Sequence, residues 1–292
     1  MAMRQQLLEG RALDHELVSI IIRRYTQSDQ ESNTECAYMK WRHNMEPEFV
    51  TLVLADHEYV TNTSIQEQLA GKDIPYDITS SQMFFLPVPL EEGWIVLMWD
   101  MMSRKLHLLD PLIRGDGPSE AKKGKLEMIV WKLHHALFEC LNEYYVGWPT
   151  QGSQWVTKYP VVAEESFTRD ETGGCVLHAI RHYDGSKLKI PLTKYNADKT
   201  KRQALHECLK LRGNSSKLVH DAFWTAVFAT ASYVNQNVML PYCRNSRRST
   251  TRVPKGLAQP KATLLIDDHV KEEIWNIVGD VPETGVIGLV GA

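Results

Sequence analysis

Three groups of residues in this 292-residue sequence have types and spacings that chemistry uses. Cys175, His178 and His182 stand at i, i+3 and i+7, which on a helix puts a thiol and two imidazoles on one face, a geometry able to ligate zinc. The sequence offers no evident fourth ligand, so no metal and no cofactor is expected. His134-His135 and the pair His206 and Cys208 lack supporting partners and define no site. Asp110, directly before Pro111, closes an apolar run, where a carboxylate can end a strand and start a turn. A basic run of Arg244, Arg247, Arg248, Arg252, Lys255 and Lys261 contains no acid. It reads as a solvated loop ahead of a nuclear-localisation or nucleic-acid patch. Taken alone, Cys175 reads as an inert buried thiol and Trp94 as a core tryptophan.

Composition narrows the classes. The five cysteines, Cys36, Cys140, Cys175, Cys208 and Cys243, form no CxxC pair, which fits a reducing compartment better than a disulfide scaffold. With 43% hydrophobic and 24% charged residues and a net charge of −3, the chain is neither disordered nor a general nucleic-acid binder. Its start has no apolar signal core, and the longest apolar stretch, 222–234, falls well short of the roughly 20 residues that span a bilayer. An intracellular protein, nuclear or cytoplasmic and off the membrane, is expected.

These residues must be held by a mixed set of elements. The spacing of Leu17, Ile20, Ile21 and Tyr25 predicts a helix over 13–25, with Asp14 as a cap. The β-rich run 49–54 reads as a strand, as do 83–88, 94–99, 105–109 and 155–159. The run 94–99 is apolar at every position and belongs at the centre of a sheet covered on both faces. Helices are expected over 125–145, over 175–182 behind the pair Gly173-Gly174, and over 200–211, 222–234 and 270–278. A polar, basic linker spans about 244–261. The class is α+β.

Four stretches occur in an informative order. They are Phe84-Phe85-Leu86-Pro87-Val88-Pro89, Glu91-Glu92-Gly93-Trp94-Ile95-Val96-Leu97, Lys105-Leu106-His107-Leu108-Leu109-Asp110-Pro111-Leu112 and Asp170-Glu171-Thr172-Gly173-Gly174-Cys175-Val176-Leu177. This order resembles the ubiquitin-like-protein (SUMO) protease family of cysteine peptidases, in particular its divergent plant, transposon-associated branch. In that family an apolar strand leads to His-Trp, and a second strand ends in Asp followed by Ser or Pro and Leu. The nucleophile lies in Asp-Cys-Gly at the start of the central helix. Residues 10–17 are similar to the family's first helix and 175–192 to the segment after its nucleophile. The resemblance covers about 7–213 and leaves 214–292 as a helical C-terminal extension. It implies a papain-like (adenain-like) cysteine-peptidase fold, α+β, with a mixed sheet flanked by helices. It also implies hydrolysis of peptide or isopeptide bonds after the Gly-Gly tail of a SUMO-type ubiquitin-like protein, which would be the partner.

A thiol peptidase of this kind needs a thiolate, a histidine base, a carboxylate to orient it and an amide donor for the oxyanion. By the resemblance, Trp94 matches the tryptophan that roofs the tail channel and Asp110 the orienting acid. The position of the base, 17 residues before Asp110, holds Gly93. Matching Val176-Leu177 to the apolar helix start puts Gly174 in the nucleophile's slot, Cys175 one position late, and the amide donor's slot near Thr168 or Arg169. One helical residue is a turn of about 100° and a rise of about 1.5 Å, which aims Cys175 away from the expected meeting point. Three readings stand side by side: a catalytically impaired peptidase domain, either a non-catalytic ubiquitin-like-protein binding module or a decayed mobile-element copy, and an enzyme with Cys175 as nucleophile.

Overall fold

The computed structural model describes residues 6–7, 11–32, 42–72, 74, 76–115, 117–209 and 211 of the 292. All lie in the first of the two units into which the chain divides, Met1–Arg212. The helices expected at 222–234 and 270–278 and the basic linker at 244–261 fall outside the described residues.

Strands β1 (Arg42–Asn44), β2 (Met83–Leu90), β3 (Gly93–Asp100), β4 (Lys105–Leu109) and β5 (Val156–Lys158) form one sheet in the order β1-β2-β3-β4-β5. The two outer pairings are parallel and the two inner ones antiparallel, so the sheet is mixed. Glu91 and Glu92 make the short turn that sets Leu90 opposite Gly93. Pro87 and Pro89 are tolerated within β2 because β1 pairs only as far as Phe85, leaving that end of β2 without a second neighbour. Every residue of β3 from Gly93 to Trp99 is buried, as expected of a central strand with helices on both sides.

Alternation sorts the side chains onto two faces. One face presents Phe84, Leu86, Val88, Ile95, Leu97, Trp99, Leu106 and Leu108 to helices α2 (Glu48–Leu54), α3 (Thr63–Ala70) and α4 (Glu120–Tyr144). Burying each such side chain is worth roughly 1.5–3 kcal/mol, and this layer is the main core. The opposite face carries α5 (Thr172–His182), backed by α1 (His15–Ser32) and α6 (Lys194–Leu209). There Arg42 of β1 donates to the carbonyl of Ile180 at 3.0 Å and pairs with Asp29 of α1 at 2.8 Å. The architecture is α+β with a mixed sheet flanked by helices, as the resemblance implied. No helix among the described residues is long and apolar enough to cross a membrane.

Several boundaries differ from expectation. Residues 49–54 form helix α2 rather than a strand: Phe49, Val50 and Val53 are buried while Thr51 is exposed, a helical spacing that wins over β-branched composition. Pro47 at the N-cap and Glu48 in the first turn favour that start. Helix α4 begins at Glu120, where the Ser119 hydroxyl accepts from the N–H of Lys122 at 3.4 Å. Helix α1 runs on to Ser32, with Asp14 accepting from the N–H of Leu17 at 2.8 Å as the expected cap. Helix α6 starts at Lys194 behind the Thr193 hydroxyl, which accepts from Asn196 N–H at 3.2 Å. Gly173 and Gly174 lie inside α5, not before it.

Candidate active site

Three elements converge at one end of the sheet: the start of β3, the end of β4 and the first turn of α5. Thr172 opens α5 after a 3₁₀ turn, Arg169–Glu171, held by a reciprocal cap between Thr168 and Glu171. Its side chain is fully buried. The Thr172 hydroxyl donates to the carbonyl of Arg169 at 2.6 Å and accepts the backbone N–H of Trp94 at 2.8 Å. Both hydroxyl functions are therefore engaged.

Gly93 faces this hydroxyl. Its φ of +129° lies where L side chains are strained, and a Cβ there would fall 2.5 Å from Thr172 Oγ1 and 3.2 Å from the Arg169 carbonyl. The backbone that places Trp94 and Thr172 together thus has no room for an imidazole at 93. Trp94 itself is 7% exposed, and its Nε1–H donates to the carbonyl of Leu13 at 2.9 Å. The same Leu13 covers Gly173, where a Cβ would meet its Cγ at 2.7 Å.

Asp110 is 1% exposed at the end of β4. One oxygen accepts from the N–H of Leu112 at 2.8 Å, which forms the turn. The other lies 2.8 Å from Lys122 Nζ, and this ammonium also reaches Glu92 at 3.2 Å. Lys122 is held above the ordinary lysine value because these two carboxylates outweigh its partial burial. An ammonium from α4 thus neutralises the buried Asp110 carboxylate.

The structure does not bring Gly174 or Cys175 to this point. A Cβ on Gly174 would meet the Lys201 side chain at 2.8 Å and the Ala197 carbonyl at 3.3 Å, so that position looks onto α6. Cys175 is 1% exposed and packs among Ala163, Leu192 and Ala197. Burial, together with Glu171, pushes its thiol well above the usual range, so it is protonated at neutral pH. His178 does not join a metal set with Cys175 and His182. Its Nδ1 lies 3.0 Å from Thr200 Oγ1 and its Nε2 3.0 Å from the Ile190 carbonyl. No group of three potential ligands able to hold a metal occurs among the described residues. Thr168 is the 3₁₀ cap, and Arg169 contributes its carbonyl to Thr172 rather than an amide donor.

Two residues of this site went unread in the sequence. Thr172 had a signal: it stands in an acid–X–Gly order, Glu171-Thr172-Gly173, at a helix start. Lys122 had none, since it approaches Asp110 only through the packing of α4.

The layered order of this sheet and its helices defines a Ulp1-like protease fold. The SUMO protease Ulp1 with its catalytic cysteine oxidised to a sulfenic acid matches with a TM-score of 0.50 at 14% identity, over 70% of this chain and 81% of that one. The form oxidised to a sulfonic acid matches with a TM-score of 0.51 at 15% identity, over the same 70% and 81%. No protein-family model and no curated protein matches the sequence.

Proposed function

We propose that this chain carries a SUMO-protease-type domain that binds a ubiquitin-like protein without hydrolysing its conjugates. In this reading Thr172, rather than Gly174, stands in the nucleophile's place, Gly93 in the base's and Asp110 in the orienting acid's. The observation that carries the reading is the environment of Gly93. A positive φ and a Thr172 hydroxyl 2.5 Å from any Cβ leave the base's position empty of function. Loss of the base from a triad removes most of its acceleration, and a neutral threonine hydroxyl that already donates one hydrogen bond and accepts another does not replace a thiolate. The intact framework, with Trp94 fixed between Leu13 and Thr172, supports retention of a binding surface.

The test uses a SUMO-type protein with a C-terminal thiol-reactive warhead. No covalent adduct is expected, while titration of the unmodified protein should show saturable binding. An adduct lost on Cys175→Ala overturns the inactive reading and makes Cys175 the nucleophile. Absence of both adduct and binding overturns the binding role and leaves a domain that keeps only its fold.

A further inference from the structure

On the sheet face that carries α5, the register sets Asp100 and Met98 of β3 beside Lys105 and His107 of β4. Those two lie in turn beside Val156 and Lys158 of β5. The helix cover ends here. Met98 is fully buried, whereas Val156 is 53% exposed and Lys158 is exposed. His107, beneath Tyr183, is 7% exposed.

His107 is incompletely satisfied. Its Nδ1 lies 2.8 Å from the Tyr183 hydroxyl, while its Nε2 is buried with no partner. Among the described residues Tyr183 Oη has no other hydrogen bond, so its proton goes to Nδ1. The neutral ring then carries its own proton on Nε2, a buried donor without an acceptor, which is costly unless something fills the role. Burial lowers the His107 pKa, with Lys105 and Lys158 adding to the effect and Asp100 opposing it. Neither lysine is ion-paired among the described residues. The neighbouring acids are already occupied. Asp100 accepts from the N–H groups of Met102 and Ser103 at 3.1 and 2.9 Å, and Asp184 from those of Ser186 and Lys187, both at 2.9 Å.

We propose that Lys105, His107 and Lys158 form a binding site for a small phosphate-type oxyanion, with the His107 Nε2–H as its central donor. One imidazole N–H and two ammonium groups on neighbouring strands supply the charge and the directional bond such an anion needs. The proposal is independent of the Gly93 site and stands or falls without it.

The experiment is titration of the full chain with inorganic phosphate at constant ionic strength, read by NMR on the His107 imidazole and on the backbone amides of β4 and β5. A saturable shift is expected, and Lys105→Ala and Lys158→Ala should each weaken apparent affinity by about tenfold with the fold unchanged. His107→Gln, which keeps an N–H donor, should retain binding that His107→Leu loses. Acetate should bind at least about tenfold more weakly than phosphate because it carries less charge and fewer acceptors. A linear, non-saturating response, or saturable binding untouched in both lysine variants, overturns the site. Equal affinity for acetate overturns the phosphate assignment.

Discussion

The two faces of the sheet obey different rules. The face under α4 is a continuous layer of hydrocarbon and aromatic side chains, from Phe84 through Leu97 to Leu108, with few polar links, among them Trp99 Nε1–H donating to His134 Nδ1 at 3.2 Å and the contact of His43 with the Tyr76 hydroxyl. The face under α5 is threaded with polar and charged groups, among them Arg42, His107 and Thr172, each held by at least one particular partner. A hydrophobic layer tolerates sequence change while volume is kept, whereas a polar set changes only in concert. The fold matches that of Ulp1 at 14% identity, and one end of its sheet holds Gly93, Thr172 and the Asp110–Lys122 pair.

The comparison can be tested from the strongest effect downward. Leu97→Ala, in the middle of the apolar layer, should cost about 3 kcal/mol in urea unfolding. A loss under about 1 kcal/mol would show that the α4 face does not dominate stability. On the other face, Gly93→Ala should cost about 2–3 kcal/mol from backbone strain and the clash with Thr172. Combined with Thr172→Ala, the loss should fall short of the sum by about 1 kcal/mol, the coupling a double-mutant cycle isolates. Lys122→Met should destabilise by about 2 kcal/mol, because the buried Asp110 oxygen loses its counter-ion. Additivity with Asp110→Asn would deny that the two groups act as a pair.

The last test is a pH dependence. Burial, the adjacent His178 and Arg181 lower His182 from 6.5 to about 4. The folded state therefore binds fewer protons than the unfolded one between those values, so stability rises with pH across that window and is flat above it. Stability curves at pH 4.5 and 7 should separate, and His182→Gln should narrow the gap. An unchanged gap would assign the slope to other groups.

Much of the apolar face was legible in the sequence, because seven successive buried residues in β3 leave few alternatives to a central strand. Residues 49–54 were misread because composition favours strand while the buried positions, Phe49, Val50 and Val53, keep helical spacing. The polar groups were legible only in part. Trp94 and Asp110 stood out by order and spacing. The glycine pair was taken for a helix boundary, although each glycine instead admits a neighbour, Leu13 at Gly173 and Lys201 at Gly174. Lys122 was invisible because a charge partner twelve positions away, across a turn, leaves no local pattern.

The backbone at Gly93 also makes the present site hard to leave. A histidine introduced there alone meets the disfavoured φ, the Thr172 hydroxyl and an Asp110 already neutralised by Lys122. In terms of paths through sequence space the arrangement resists any single change: a histidine at 93 meets obstacles at its own backbone, at Thr172 and at the Asp110–Lys122 pair at once.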